Sequence, residues 1–173
     1  VAGLTERDAE TPAYTEETLR SEAGLPAGVA PIGTGSILSR IWNKPSITVT
    51  GIDAPSVRNA SNTLSPEVSV VISARVAPGQ SAADAYRAIE EHLRAHAPFG
   101  AELSFRDVET GNPFLVDTSG EAVAHARAAL AEGYGVEPVD IGVGGSIPFI
   151  ADLVREFPGA EILVTGVEDP HSR

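Results

Sequence analysis

The sequence predicts an α/β chain, α+β overall: a two-layer α+β unit followed by an incomplete three-layer α/β unit containing a parallel β-α-β crossover. Three observations carry this. Residues 46–52, 67–76 and 101–108 alternate apolar with polar side chains, with a helical repeat between the second and third, the pattern of antiparallel strands half-buried under a helix. Residues 160–167 form a near-continuous apolar run, as expected of a strand buried on both faces in a parallel sheet. Between these regions Thr110-Gly111-Asn112-Pro113 interrupts the periodicity and divides the chain into residues 1–111 and 112–173.

In chain order, residues 1 to about 30 are polar, and Thr15-Glu16-Glu17 offers a cap and an acidic first turn for a short helix ending near Glu22. Gly24, Pro26, Gly28, Pro31, Gly33 and Gly35 then predict a loop or extended connector. Trp42, just before the first strand, is expected to plug the edge of the first unit. In the strand 46–52, Ile47 and Val49 oppose Thr48 and Thr50. In the strand 67–76, Val68, Val70, Ile72, Ala74 and Val76 make the core face, and Arg75 ends the opposite, more polar stripe. Ser81 caps a helix whose inward stripe is Ala82, Ala85, Ile89 and Leu93, with His92, Arg94 and His96 at its negative end. Leu103 and Phe105 mark the third strand. In the second unit Ser119 begins an alanine-rich helix through Val123, Ala126, Ala129 and Leu130 that ends at Gly133 or Gly135. Strand 138–143, a helix stopped by Pro158-Gly159, and strand 160–167 complete the crossover. Such a sheet needs more than two strands, so the second unit is expected to be incomplete as written.

A formal net charge of −12 and a pI near 4.6 argue against nucleic acid or an anionic membrane as partner. With no cysteine, disulfides and thiolate metal sites are excluded. No apolar run approaches the roughly 18 residues of a membrane span, and the expected location is cytoplasmic. There is no methionine and the chain opens on Val1, which suggests a processed or excised piece whose partners include missing segments of its own polypeptide.

The segment most able to bind a ligand is Asp140 to Phe157. Ile141 and Val143 lead into Gly144-Gly145-Ser146, and Ile150, Leu153, Val154 and Phe157 recur at helical spacing. Strand, paired glycines, serine and helix together present bare N–H groups and a hydroxyl at a positive helix end, a receptor for a carboxylate or phosphate. A plain N-cap is the other reading of Ser146. Arg75 is a second candidate, since a guanidinium matches a carboxylate in a two-pronged fit. Glu168-Asp169-Pro170-His171 could hold a metal or form a solvated tail. His92, His96 and His125 read as surface side chains. No Gly-x-Ser-x-Gly, His-Glu-x-x-His, Walker or Rossmann pattern occurs.

Taken together, WNKPSITVTGIDAP, ASNTLSP, ISARVAPGQ, AALAEGYGVEPVDIGVGGSIPFIADL and EILVTGVEDPHSR resemble the carnosinase-like dipeptidases. These belong to the acetylornithine deacetylase / succinyl-diaminopimelate desuccinylase / carboxypeptidase G family of dinuclear-zinc peptidases. The resemblance runs from about Leu38 to the C-terminus. It implies that residues to about 111 are the later part of a lid, or dimerisation, domain and that residues from Pro113 return into the catalytic domain. It implies that Arg75 and Ser146 hold the substrate's carboxylate, beside Gly144 and Gly145. It further implies that Thr63, with Asn62, reaches the substrate across a homodimer. Most zinc ligands and the glutamate base of the family have no counterpart in these residues, and His171 corresponds to a loop upstream of the last ligand. The expectation is therefore a fragment of a zinc-dependent metallopeptidase cleaving small peptides or acylated amino acids, inactive as given, with two zinc ions in the intact enzyme. The alternatives are a non-catalytic dimerisation module, or a phosphate binder built on Gly144 to Ser146.

Overall fold

The structure is a computed structural model and describes residues 13–142 and 148–166. Its elements are α1 (Glu16–Glu22), α2 (Ile37–Trp42), β1 (Ser46–Asp53), β2 (Ser69–Arg75), α3 (Ala82–His96), α4 (Glu121–Tyr134) and α5 (Pro148–Glu156). Short 3₁₀ turns occur at Val57–Asn59 and Pro98–Gly100. The class is α+β: among the described residues, mixed helices accompany one two-stranded antiparallel sheet.

Local chemistry accounts for most helix ends. Thr15 and Ser81 cap α1 and α3 by accepting from the N–H of Thr18 and Asp84. Gly135, at φ 70°, closes α4 in the left-handed conformation that glycine tolerates best. The helix α2 was not foreseen. Ser36 caps it by accepting from Ser39 N–H, and Arg40 Nε donates back to Gly35 O at 2.9 Å, so the glycine-rich connector is folded onto the helix it precedes.

β1 and β2 pair from Ser46 opposite Arg75 to Asp53 opposite Ser69, with a bulge between Val49 and Gly51. The expected core face is not a core. Val70 and Ile72 on β2 are exposed, and so are Ile47 and Val49 on β1. Alternation places the side chains, but only a second layer can bury them, and the described residues do not supply one over this hairpin. The third expected strand, 101–108, makes no ladder; Asp107 adopts φ 53°, which interrupts the extended backbone. Side chains hold this segment instead. Arg94, gripped by Glu90 at 2.7 and 2.9 Å, lies 4.8 Å above the Phe105 ring and donates to Leu103 O at 3.2 Å. Tyr86 meets the same ring edge-on, with centroids 6.4 Å apart. The Arg94 and Tyr86 hydrogen bonds hold the Glu90 carboxyl below the usual carboxylate range, while Glu90 pushes the Tyr86 phenol up.

In the second unit the expected helix forms as α5, with Ile150 buried, but Val154 on it and Phe157 just after it are exposed. The parallel pair is not seen: 138–142 and 160–166, the described parts of the two expected strands, carry no ladder. A parallel strand requires partner backbones on its edges and helices on both faces, and Ile141, Leu163 and Val164 are all exposed. Ser119 is not the cap of α4. Its N–H donates to Asp117 Oδ1 at 2.9 Å, and Gly120 occupies the cap position without a side chain. The missing acceptor is Glu161, whose Oε2 receives the N–H groups of Ala122 and Val123 at 2.9 and 3.2 Å.

Among the described residues the buried apolar side chains are Ile37 and Leu38 on α2, Ala77 and Ala82 around the start of α3, Val123 on α4 and Ile150 on α5. They lie at element starts and junctions rather than on the sheet. Between the expected units, Asn112 Oδ1 accepts from Ala82 N–H at 3.0 Å, and Trp42 abuts Gly142, where a Cβ would lie 2.5 Å from Trp42 Cβ. Trp42 thus packs on the segment leading toward Gly144, which the sequence reading did not anticipate.

Candidate functional site

Arg75 is the last residue of β2 and is exposed. It makes no ion pair with the described residues. Because it stands opposite Ser46, it sits at the end of the hairpin that follows α2. Asn62 and Thr63 lie in the connection between β1 and β2, which leaves from the opposite end, after Asp53 and before Ser69. Both are exposed, and the Thr63 N–H donates to Ser61 Oγ at 3.2 Å. At about 3.3 Å per strand residue, the two ends of the hairpin are roughly 20 Å apart. Arg75 and the connection that carries Asn62 and Thr63 thus start from opposite ends of the ladder. Gly144, Gly145 and Ser146 lie outside the described residues, as do Glu168 to His171.

An open depression of about 510 Å³ occurs beside the far end of the hairpin, lined by Asp53, Ser65, Glu67, Ser69 and Arg106 among others. Arg106 Nη2 donates to Ser69 Oγ at 3.1 Å. It offers one guanidinium, two carboxylates and two hydroxyls, a set that can orient a polar guest but pairs no nucleophile with a base. Sequence reasoning missed it because its residues come from three separated stretches. A second groove of about 310 Å³ runs between Asn112–Leu115 and Ala151, Val154 and Arg155 of α5, on the path from one expected unit to the other. Among the described residues no three His, Asp or Glu side chains come together to hold a metal. No helix among them is long and apolar enough to cross a membrane.

Residues 5–101 match the peptidase dimerisation domain of the M20 family, which covers both strands, α3 and Arg75. The chain belongs to the M20 peptidase family. This M20 chain is also 37% identical over 160 residues to a cysteinylglycine-S-conjugate dipeptidase of Corynebacterium striatum, across 91% of its own length. It spans 35% of the length of that relative. The dimerisation-domain match ends at residue 101, within the segment pinned by Phe105 and Arg94 and before the break at 110–113.

Proposed function

We propose that this M20 chain is the substrate-holding part of a zinc-dependent dipeptidase or related amidohydrolase, working as a homodimer. Residues 1–111 would be the lid and dimerisation unit, and residues 112–173 the return into the catalytic unit. Arg75 holds the free carboxylate of a small peptide or acylated amino acid, and Ser146, with the Gly144 and Gly145 amides, meets the same end of the guest. The observation that carries this reading is the exposed Arg75 guanidinium, without an ion-pair partner among the described residues, at the end of the hairpin that follows α2. Chain path supports it. Trp42, four residues before Ser46 at the Arg75 end of the hairpin, touches Gly142, four residues before Ser146 in sequence.

The match of residues 5–101 to a peptidase dimerisation domain supports the homodimer. In that dimer Asn62 and Thr63 of one copy would share a substrate with Arg75 of the other. Two zinc ions, as resident metals of the whole enzyme, belong to the same proposal. The described residues assemble no ligand set for them, so no step is assigned through zinc, and the role of these residues is to bind and orient. On this reading the 173 residues by themselves position a substrate without hydrolysing it.

The test is Arg75→Ala and Arg75→Lys in the full-length enzyme, assayed on dipeptides with a free or an amidated C-terminus. Loss of a charge-assisted pair worth about 1.5–3 kcal/mol predicts a fall of about 10–100-fold in kcat/KM on the free-carboxylate substrate only. An equal effect on both substrates, or none on either, removes Arg75 from the site.

A further inference from the structure

His92 and His96 stand one turn apart on the exposed side of α3. Their rings are stacked, with centroids 4.1 Å apart and planes 26° from parallel. His96 Nδ1 lies 2.7 Å from His92 O. A carbonyl only accepts, so in the neutral ring Nδ1 carries the proton and Nε2 keeps its lone pair. Metal-binding histidines are prepared in the same manner, one ring nitrogen donating to a backbone carbonyl while the other faces the ion.

We propose that His92 and His96 form a two-histidine site for a divalent transition-metal ion of the zinc or copper class, separate from any catalytic metal of the whole enzyme. The spacing meets the requirement. Two nitrogens bound at about 2.0–2.1 Å to one tetrahedral ion are roughly 3.4 Å apart; because an imidazole lone pair lies in the ring plane, the exposed His92 ring must turn out of the 4.1 Å stack to converge with His96 on one ion. The helix fixes the rest, since side chains at i and i+4 share a face about 5–6 Å apart at Cβ. No third His, Asp or Glu among the described residues joins the pair, so water completes the coordination and the site stays open. Neutral imidazole suits zinc and copper and not magnesium. Bound metal would clamp the last turn of α3, next to the Pro98–Gly100 turn that carries the chain toward Phe105.

The experiment is calorimetric titration of zinc chloride, copper(II) chloride and magnesium chloride into the 173-residue chain at neutral pH. The same titrations are run on His92→Ala, His96→Ala and His171→Ala. Both helix histidines are exposed, and circular dichroism checks that each variant keeps its helix content. The expected result is one site per chain, tighter for copper than for zinc and absent for magnesium, retained in His171→Ala. Each helix variant should weaken it by at least the ~10–100-fold that loss of a mere outer partner costs a metal site. Nitrogen-15 NMR should show the metal on His96 Nε2 with its Nδ1 proton kept. No zinc binding, binding unchanged in His92→Ala or His96→Ala, loss in His171→Ala alone, or metal on His96 Nδ1 each overturns the proposal.

Discussion

Glu161→Ala isolates one long-range contact that sequence propensity does not supply. The α4 N-terminus has glycine at its cap and no side-chain acceptor of its own, and Glu161 Oε2 takes two of its free N–H groups at 2.9 and 3.2 Å. Losing a side-chain cap costs about 1 kcal/mol, and removing a negative charge from a helix N-terminus adds about 0.3–1 kcal/mol where the group is exposed. The expected loss is therefore about 1–2 kcal/mol, or a fall of about 2–8 °C in Tm for a chain of this size. Glu161→Gln keeps an acceptor and loses the charge, so it should cost about half as much. A second substitution tests the geometry directly. A Cβ on Gly120 would lie well inside contact distance of the Glu161 carboxylate, so Gly120→Ala must push that carboxylate off the helix. Urea unfolding of the two single variants and the double variant, read as midpoint shifts at constant m-value, gives the coupling. Gly120→Ala should cost about 1 kcal/mol more in the unaltered chain than in the Glu161→Ala background. Equal costs in the two backgrounds would refute the cap.

Two further substitutions probe other contacts. Gly142→Ala would set its Cβ 2.5 Å from Trp42 Cβ and 2.8 Å from Cγ, overpacking that should cost about 1–3 kcal/mol in urea unfolding; a neutral result would mean that Trp42 and Gly142 are not in contact. Tyr14 donates to Glu22, which together with burial pushes its phenol up from 10.0 to about 12. A raised folded pKa gives stability that is complete below pH 10 and is lost as pH rises toward 12. In alkaline absorbance titrations, Glu22→Gln should therefore return the Tyr14 transition, identified with Tyr14→Phe, toward the ordinary phenol range. An unchanged curve would break the assignment.

How far the residues alone could be read differs from element to element. α1, α3 and α4 were legible because a cap, an apolar stripe and a terminating glycine are local instructions, as at Thr15, Ser81 and Gly135. β1 and β2 were legible from alternation, and Arg75 falls at the strand end where that pattern set it. The 101–108 strand was misread because alternation fixes side-chain direction and says nothing about whether a backbone partner is in reach. α2 was overlooked because six residues show too little periodicity to stand out beside a glycine-rich connector. The depression around Arg106 could not be read at all, because its lining comes from stretches that meet only in space. The spacing of His92 and His96 was visible, but the stacking and the His92 carbonyl contact were not.

Local order along the chain was enough to specify α1, α3, the two strands and a resemblance that the M20 dimerisation-domain match bears out. Residues within a turn or a strand constrain each other through covalent geometry, and that much can be read without coordinates. Tertiary structure alone decided that Glu161 caps α4, that Trp42 rests on Gly142, and that Arg106 reaches Ser69. Each of these depends on which distant segments share space. That choice is made by burial and hydrogen-bond satisfaction over the whole molecule, and no single stretch carries it.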